Sequence, residues 1–213
     1  MTNFEPEILP RLKSDTLVAG VDEVGRGSLF GPVVAAVVVI PFADFGKLEN
    51  IGVKDSKKLT PKKRFQLSDL IKQTVTDFQI SLTSVREIDQ INILQASLLA
   101  MKKAIYNLTI QPEFCLVDGN KKIPNLIIPQ ETLVKGDQRS PVIAAASILA
   151  KVWRDQLIIE LAEKYPEYDL KANKGYGTKK HLLALEKYGI TPEHRRSFRP
   201  CSEIQLNLKL ADN

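Results

Sequence analysis

Residues 17–40 read LVAGVDEVGRGSLFGPVVAAVVVI, two apolar runs separated by adjacent carboxylates, Asp22 and Glu23, and by three glycines. Side chains on a strand alternate between faces, so two neighbouring acids cannot both face a dry core. At least one must be solvated, paired or bound to a cation, because an unpaired buried carboxylate is very costly. Gly25, Gly27 and Gly31 let the backbone turn and let another group approach it closely. The second run, VVAAVVVI, is too continuously apolar for a one-sided strand and reads as central in a sheet covered on both faces. These residues alone leave two readings open: a site for an anionic substrate held by backbone and metal, or a hairpin with its acids at the wet end.

The rest of the chain alternates strand and helix patterns. Residues 1–16 are polar and read as an N-terminal arm, and PFADFGKLENIGVKDSKKLT reads as a long connection. Thr60-Pro61 has the chemistry of an N-cap and first helical position, predicting a helix to about Thr74. Its buried side would carry Phe65, Leu67, Leu70 and Ile71. DFQISLTSV reads as a strand, and residues 86–109 as two helical segments divided near Leu94. EFCLVDGN reads as a strand delivering Asp118 to its C-terminal end, followed by a short strand within Gln130–Val134. Residues 140–166 give the strongest helix signal, closed by Pro166. A helix capped by Thr178 follows, and Thr191-Pro192 starts a shorter one through Arg195. The expectation is an α/β fold: a mixed sheet flanked by helices over residues 17–166, with a helical C-terminal portion over 167–213 on the same core.

Thirty basic against 25 acidic residues allow a polyanionic partner without requiring one. The positive charge is concentrated in KDSKKLTPKKR, KANKGYGTKKH and HRRSFR. Cys115 and Cys201 belong to no C-x-x-C pattern and read as free thiols of a reducing compartment. The longest apolar runs, about nine residues, fall well short of a membrane helix. A soluble cytoplasmic protein is expected, with nothing demanding more than a monomer.

Two more acids stand at element junctions, Asp118 in VDGN and Asp137 in VKGD. Each has an ordinary alternative, Asp118 as a turn former and Asp137 as a helix cap. Taken together, Asp22, Glu23, Asp118 and Asp137 form an oxygen-rich set suited to hard divalent ions, Mn²⁺ or Mg²⁺. Two such ions about 4 Å apart can drive phosphodiester hydrolysis. His181 and His194 share no ligand spacing with the cysteines, and there is no Walker loop.

In ordered series the chain carries D-E-V-G-R-G (22–27), G-P-V-V-A-A (31–36), D-S-K-K-L (55–59), N-I-L-x-A (92–96), V-D-G-N (117–120) and V-K-G-D (134–137). A-A-A-S-I-L-A-K-V-x-R-D (144–155), K-G-Y-G-T (174–178) and H-R-R-S-F (194–198) complete it. Over roughly residues 17–200 this resembles the ribonuclease HII family. The resemblance implies an RNase H-like fold with a helical C-terminal extension. It implies metal-dependent cleavage of the RNA strand of RNA–DNA hybrids, and nicking 5′ of single ribonucleotides in duplex DNA, with 5′-phosphate and 3′-hydroxyl products. It also implies that Asp22, Glu23, Asp118 and Asp137 are the catalytic metal ligands, holding two ions, Mn²⁺ or Mg²⁺, with substrate bound. The turn Gly25-Arg26-Gly27 then senses the 2′-hydroxyl, and Tyr176 stacks on the sugar following the ribonucleotide. Lys57, Lys58, Lys174 and Arg196 are candidate phosphate contacts, and Arg195 and Arg199 could touch phosphates or brace the acids. Trp153, Tyr165 and Tyr168 read as core or half-buried helix residues rather than base-stacking platforms. Many members carry proline where this chain has Ser28, and a serine there is expected to loosen the turn. A non-catalytic nucleic-acid binder and a junction nuclease of the same fold are the competing readings.

Overall fold

The computed structural model describes residues 12–53 and 60–204, so most of the expected N-terminal arm lies outside the described residues, as do Lys57 and Lys58. Its elements run β1 (Leu17–Val24), β2 (Val33–Pro41), α1 (Phe45–Asn50), α2 (Pro61–Thr74), β3 (Asp77–Thr83), α3 (Val85–Tyr106), β4 (Phe114–Asp118) and β5 (Gln130–Leu133). The series ends with α4 (Gly136–Arg139), α5 (Pro141–Lys164), α6 (Leu170–Asn173) and α7 (Lys179–Tyr188). The chain divides into two compact units. The first takes its described residues from Met1–Val24, Val34–Leu82 and Leu98–Val152, and the second from Gly25–Val33, Thr83–Ser97 and Trp153–Asn213.

The first unit is built on a five-stranded mixed sheet of order β3-β2-β1-β4-β5. β1 pairs antiparallel with β2 and parallel with β4, which pairs parallel with β5. Val33 to Ile40 are all buried, which accounts for the unbroken apolar run of β2: it is covered on both faces. α5 packs its alanine-rich first half into the same core, with Val142 to Ala146 almost free of solvent contact.

Gly20 fixes how close that packing is. A Cβ built on it would lie 2.4 Å from the carbonyl carbon of Val142 and 2.6 Å from the Ile143 nitrogen, both backbone atoms. Backbone cannot step aside as a side-chain tip does, so Gly20→Ala forces β1 and the first turn of α5 apart. Overpacking of this kind costs about 3 kcal/mol. In a protein of this size that lowers Tm by roughly 6–12 °C, which thermal unfolding would measure.

The second unit has its own apolar cluster, formed by Leu29, Phe30, Ile158, Ala162, Tyr168, Leu170, Ala184, Leu185 and Cys201. Thr178 caps α7 by accepting the His181 N–H (3.4 Å), as its sequence predicts. In α3 the helix is broken at Asn92 (φ 66°), not near Leu94. The Asn92 side chain accepts the N–H groups of Leu94 and Gln95, which makes it the N-cap of the second segment.

Three local expectations differ from the structure. Residues 42–50 are not plain connection but a 3-10 turn followed by α1, held by an edge-to-face contact of Phe42 with Phe45 (5.3 Å) and by burial of Leu48. On α2, Leu67 and Ile71 are buried whereas Phe65 and Leu70 are exposed. No helix starts at Thr191. Residues 193–195 instead pair with 29–31, the Gly31 N–H donating to Glu193 O (2.8 Å) and the Arg195 N–H to Leu29 O (2.9 Å).

Candidate active site

The parallel register of β1 and β4 builds the acidic site. Val21 lies opposite Val117, so one step further along both strands Asp22 and Asp118 come side by side at their C-terminal ends. That is where open α/β sheets place their ligand sites. Carboxylate oxygens of Asp22, Glu23 and Asp118 lie within 4.8 Å of one another. Glu23 joins them although it follows Asp22 directly on the strand.

Asp22 is only 6% exposed. It accepts the Glu23 N–H (2.7 Å) and a hydrogen bond from Ser147 on α5. Its carboxyl is pushed well above the ordinary range, first by burial and then by the charges of Asp118 and Glu23. Asp118 is raised as well, again mainly by burial, while N–H donors from Gly136 (2.6 Å to Oδ1) and Asp137 pull the other way. Gly136 is required for this approach: a Cβ there would meet Ile143 Cδ1 at 2.6 Å and Asp118 Oδ1 at 3.1 Å.

The fourth acid is placed differently. Asp137 belongs to α4 rather than capping α5, and its charge and backbone N–H both act on Asp118, but its carboxylate is not among the three that converge. Three buried or half-buried carboxylates, two of which raise the proton affinity of the third, Asp22, are the donor set of a hard divalent cation. The cluster is therefore a divalent-metal-binding arrangement.

The glycine turn belongs to the second unit, where two arginines hold it. Arg195, fully buried, donates from Nη2 to Gly25 O (2.7 Å), from Nη1 to Arg26 O (2.8 Å) and from Nε to Gly31 O (3.0 Å). Arg154, also fully buried, donates from Nη2 to Ser28 Oγ (2.8 Å) and Phe30 O (3.0 Å), from Nε to Pro32 O (3.1 Å), and from Nη1 to Lys174 O (3.0 Å). Ser28 does not loosen the turn. Its hydroxyl donates to Phe30 O (2.7 Å) and accepts from Arg154, and its N–H returns to Gly25 O (3.3 Å).

The two glycines of this turn do different work. Gly25 has φ +92°, and a Cβ on it would lie 2.2 Å from Arg154 Nε, so the fold itself requires glycine there. Gly27 is exposed, and a Cβ on it would meet no protein atom within 4 Å.

Tyr176 is half-buried in the same unit, its ring 5.7 Å from the Arg154 guanidinium carbon. Gly175 O accepts the Leu29 N–H (2.9 Å), which joins the tyrosine loop to the chain just after the glycine turn. Lys174 directs its ammonium to the Lys171 carbonyl. Arg196 is exposed, and its backbone N–H is held by Asp89 (3.0 Å). Arg199 pairs with Glu203 (3.1 Å). Tyr168 is buried and Tyr165 half-buried, as expected of core residues.

The sequence reading missed Ser147, Arg154 and the inward role of Arg195. Arg154 and Ser147 sit in a helix of alanines and aliphatics, and a polar residue in such a run is the signal that was available. Among the described residues, no helix is long and apolar enough to cross a membrane.

Comparison with known proteins agrees over most of the chain. A family model for ribonuclease HII matches residues 19–201. Ribonuclease HII of Trichormus variabilis is 60% identical over 191 residues, covering 90% of this chain and 84% of that protein. The Synechocystis enzyme is 52% identical over 190 residues, covering 89% and 99%. Among solved structures, ribonuclease H2 of Pyrococcus horikoshii superposes with a TM-score of 0.78 at 31% identity, covering 91% of this chain and 99% of that one. RNase HII of Archaeoglobus fulgidus, solved in complex with PCNA, gives 0.74 at 27% identity, covering 86% and 95%. With a matched model over nearly its whole length and relatives at this identity, the chain belongs to the ribonuclease HII family.

Proposed function

We infer that this chain is a metal-dependent endoribonuclease that cleaves the RNA strand of RNA–DNA hybrids and nicks 5′ of single ribonucleotides in duplex DNA. The observation that carries the reading is the convergence of Asp22, Glu23 and Asp118 at the ends of two parallel strands. A protein that only binds a phosphate backbone has no use for three such carboxylates. We assign the metal ligands as Asp22, Glu23, Asp118 and Asp137, and the ions as two of Mn²⁺ or Mg²⁺. When bound, such ions activate the attacking water and stabilise the leaving 3′ oxygen, giving 5′-phosphate and 3′-hydroxyl ends.

The protein's own part is positioning. Ser147 and the Glu23 N–H hold Asp22, and the Gly136 and Asp137 N–H groups hold Asp118, so the oxygens are fixed before substrate arrives. Only the 2′-hydroxyl distinguishes a ribonucleotide from a deoxyribonucleotide, and reading it demands close contact. Gly25-Arg26-Gly27 is the proposed reader, its carbonyls locked by Arg195 and its exposed glycine leaving room for a sugar. Tyr176 is the proposed flat stop at the sugar that follows. Lys57, Lys58, Lys174 and Arg196 are the proposed phosphate contacts, which position a duplex without reading its sequence. In this reading residues 17–166 carry catalysis and 167–213 substrate binding, in a cytoplasmic monomer.

The test uses duplex DNA with one embedded ribonucleotide, beside all-DNA and long hybrid duplexes, with Mn²⁺ or Mg²⁺. The expected product is a nick just 5′ of the ribonucleotide. Tight binding without cleavage under either metal would sink the reading. Gly27→Ala is a clean probe because the fold has space for the methyl: rate or selectivity should fall about tenfold, ~1.4 kcal/mol, with Tm unchanged. Tyr176→Ala should lower cleavage at single ribonucleotides more than cleavage of long hybrids, and equal losses would remove its junction role.

A further inference from the structure

His181 and His194 are thirteen residues apart and belong to no motif with each other, yet in the second unit their rings meet, Nε2 to Nε2 at 3.0 Å. The surrounding partners determine where each proton sits. His181 Nδ1 lies 3.0 Å from the Tyr176 carbonyl oxygen, which can only accept, so Nδ1 carries hydrogen. At the other end the Thr191 N–H donates to His194 Nδ1 (3.0 Å), so that nitrogen is a lone pair. A neutral His194 must then carry its hydrogen on Nε2 and donate it to His181 Nε2. The result is one directed chain, from Thr191 N–H through both rings to Tyr176 O.

This arrangement satisfies every one of these contacts, and the Thr191 hydroxyl, 2.9 Å from His194 Nδ1, can donate to the same nitrogen. A charged His181 would need His194 Nε2 to accept, which moves the His194 hydrogen onto Nδ1, against the Thr191 N–H. A charged His194 would set its Nδ1–H against the Thr191 N–H, with only the Thr191 hydroxyl left to accept it. The rings lie in an aromatic seat, His194 4.9 Å from the Phe30 ring and 4.8 Å from Tyr168, and both histidines are buried. Asp169 acts on His181 and is itself 3.8 Å from Lys180, while Arg195 turns its guanidinium to the carbonyls of Gly25, Arg26 and Gly31. Burial and then His181 push His194 down to about 3, and burial lowers His181 too.

The end of this chain of bonds is the backbone of Tyr176. Its carbonyl also accepts the Thr178 N–H (2.8 Å), and its own N–H donates to Asn173 O (3.0 Å). Both lone pairs and the donor are therefore used, and His181 supplies the one bond that comes from outside the loop. We propose that the neutral His181–His194 pair is a positioning device that sets Tyr176 for duplexes carrying a single ribonucleotide. This rests on the reading of Tyr176 as the junction residue. Long hybrids offer the enzyme many equivalent ribonucleotides and depend less on one sugar stop, so the pair acts as a specificity determinant.

Two measurements on the full chain test this. In ¹⁵N spectra His181 should be the Nδ1–H tautomer and His194 the Nε2–H tautomer, both unchanged from about pH 8 to about 5.5, where an ordinary histidine titrates. Either ring in the other tautomer, or protonating in that range, overturns the proposal. In cleavage assays His181→Phe removes the donor while keeping ring volume, and should lower kcat/KM on the single-ribonucleotide duplex about tenfold more than on a long hybrid. His181→Asn keeps an N–H near the Nδ1 position and should recover most of that loss. Equal losses on both substrates, or no recovery by asparagine, would make the pair an ordinary core element and overturn the proposal. Tyr176→Ala is measured alongside. If it loses both activities equally, the junction reading fails. The positioning claim is then judged by the Tyr176 amide resonance, which must move in His181→Phe and stay in His181→Asn. Should the phenylalanine variant not fold, the spectra of the parent and the asparagine variant decide.

Discussion

Asp22→Asn and Asp118→Asn should abolish cleavage while leaving the metal-free protein at least as stable as the parent. The two effects have one cause. Both carboxyls sit above the ordinary range, each mainly because of burial, and Asp22 further because of Asp118 and Glu23. An acid whose folded pKa is raised contributes stability below its unfolded value, about 3.9, and that contribution is lost as pH rises through the folded value. At neutral pH without metal, the charged cluster therefore works against folding, and an asparagine relieves the strain while still accepting from Ser147. The stability gap between variant and parent should open as pH rises from about 4 and level off above the folded pKa. A bound divalent cation reverses the sign, so Mn²⁺ should raise the Tm of the parent at neutral pH, less at low pH, and far less in either variant. Activity should fall at least about a thousandfold, ~4 kcal/mol of transition-state stabilisation. Thermal scans in chelator and in Mn²⁺, paired with nicking assays, check all of this. A large Tm loss for Asp22→Asn in chelator would mean that the carboxylate is a structural anchor instead.

Much of the sheet-bearing unit was legible because its signals are local. The unbroken valines of β2, the Thr60-Pro61 start of α2 and the delivery of Asp118 at the end of β4 all follow from runs of adjacent residues. The α1 helix was not legible, since barely more than one turn leaves no period to read and the element depends on Leu48 finding the core. The site acids were legible as types at junctions, but their grouping was not. The register of β1 against β4 decides that Asp22 meets Asp118, and the short α4 decides that Asp137 acts on Asp118 through its charge and then its backbone N–H.

Charge misled in a consistent way. Arg195 lies in the basic stretch HRRSFR and reads as a phosphate contact or a brace for the acids, yet its side chain is wholly internal. Ser28 reads as a loosened turn for want of proline, yet its hydroxyl is held by two partners. The first error treats a polar residue as facing solvent when its partners are carbonyls far away in sequence, and the second overlooks a partner, Arg154, that is equally distant. The histidine pair was hidden for the same reason: the contact between residues 181 and 194 depends on the bridge of Phe30 with His194, which no local pattern encodes.

Those internal arginines carry the second large expectation. Arg195 spans three carbonyls with one rigid fork, at Gly25, Arg26 and Gly31. Burial, and then Arg154, draw its pKa down to about 9, which still leaves the guanidinium charged at neutral pH. The desolvation it suffers is offset by charge-assisted bonds in a fixed plane, a geometry that lysine's single ammonium cannot reproduce. Arg195→Lys should therefore behave nearly as badly as Arg195→Met, each costing about 3–5 kcal/mol as buried carbonyls lose their donors. Unfolding in urea would read this as a lower midpoint at unchanged slope. In whatever fraction stays folded, the Gly25-Arg26-Gly27 turn loses its fixed shape, so discrimination between a ribonucleotide and a deoxyribonucleotide should fall further than metal-dependent stabilisation of the acidic cluster. Arg154→Lys should follow the same course through Ser28, Phe30 and Pro32. A lysine variant with parental stability and full selectivity would show that the turn keeps its shape without the fork, and that the two arginines are only filling space.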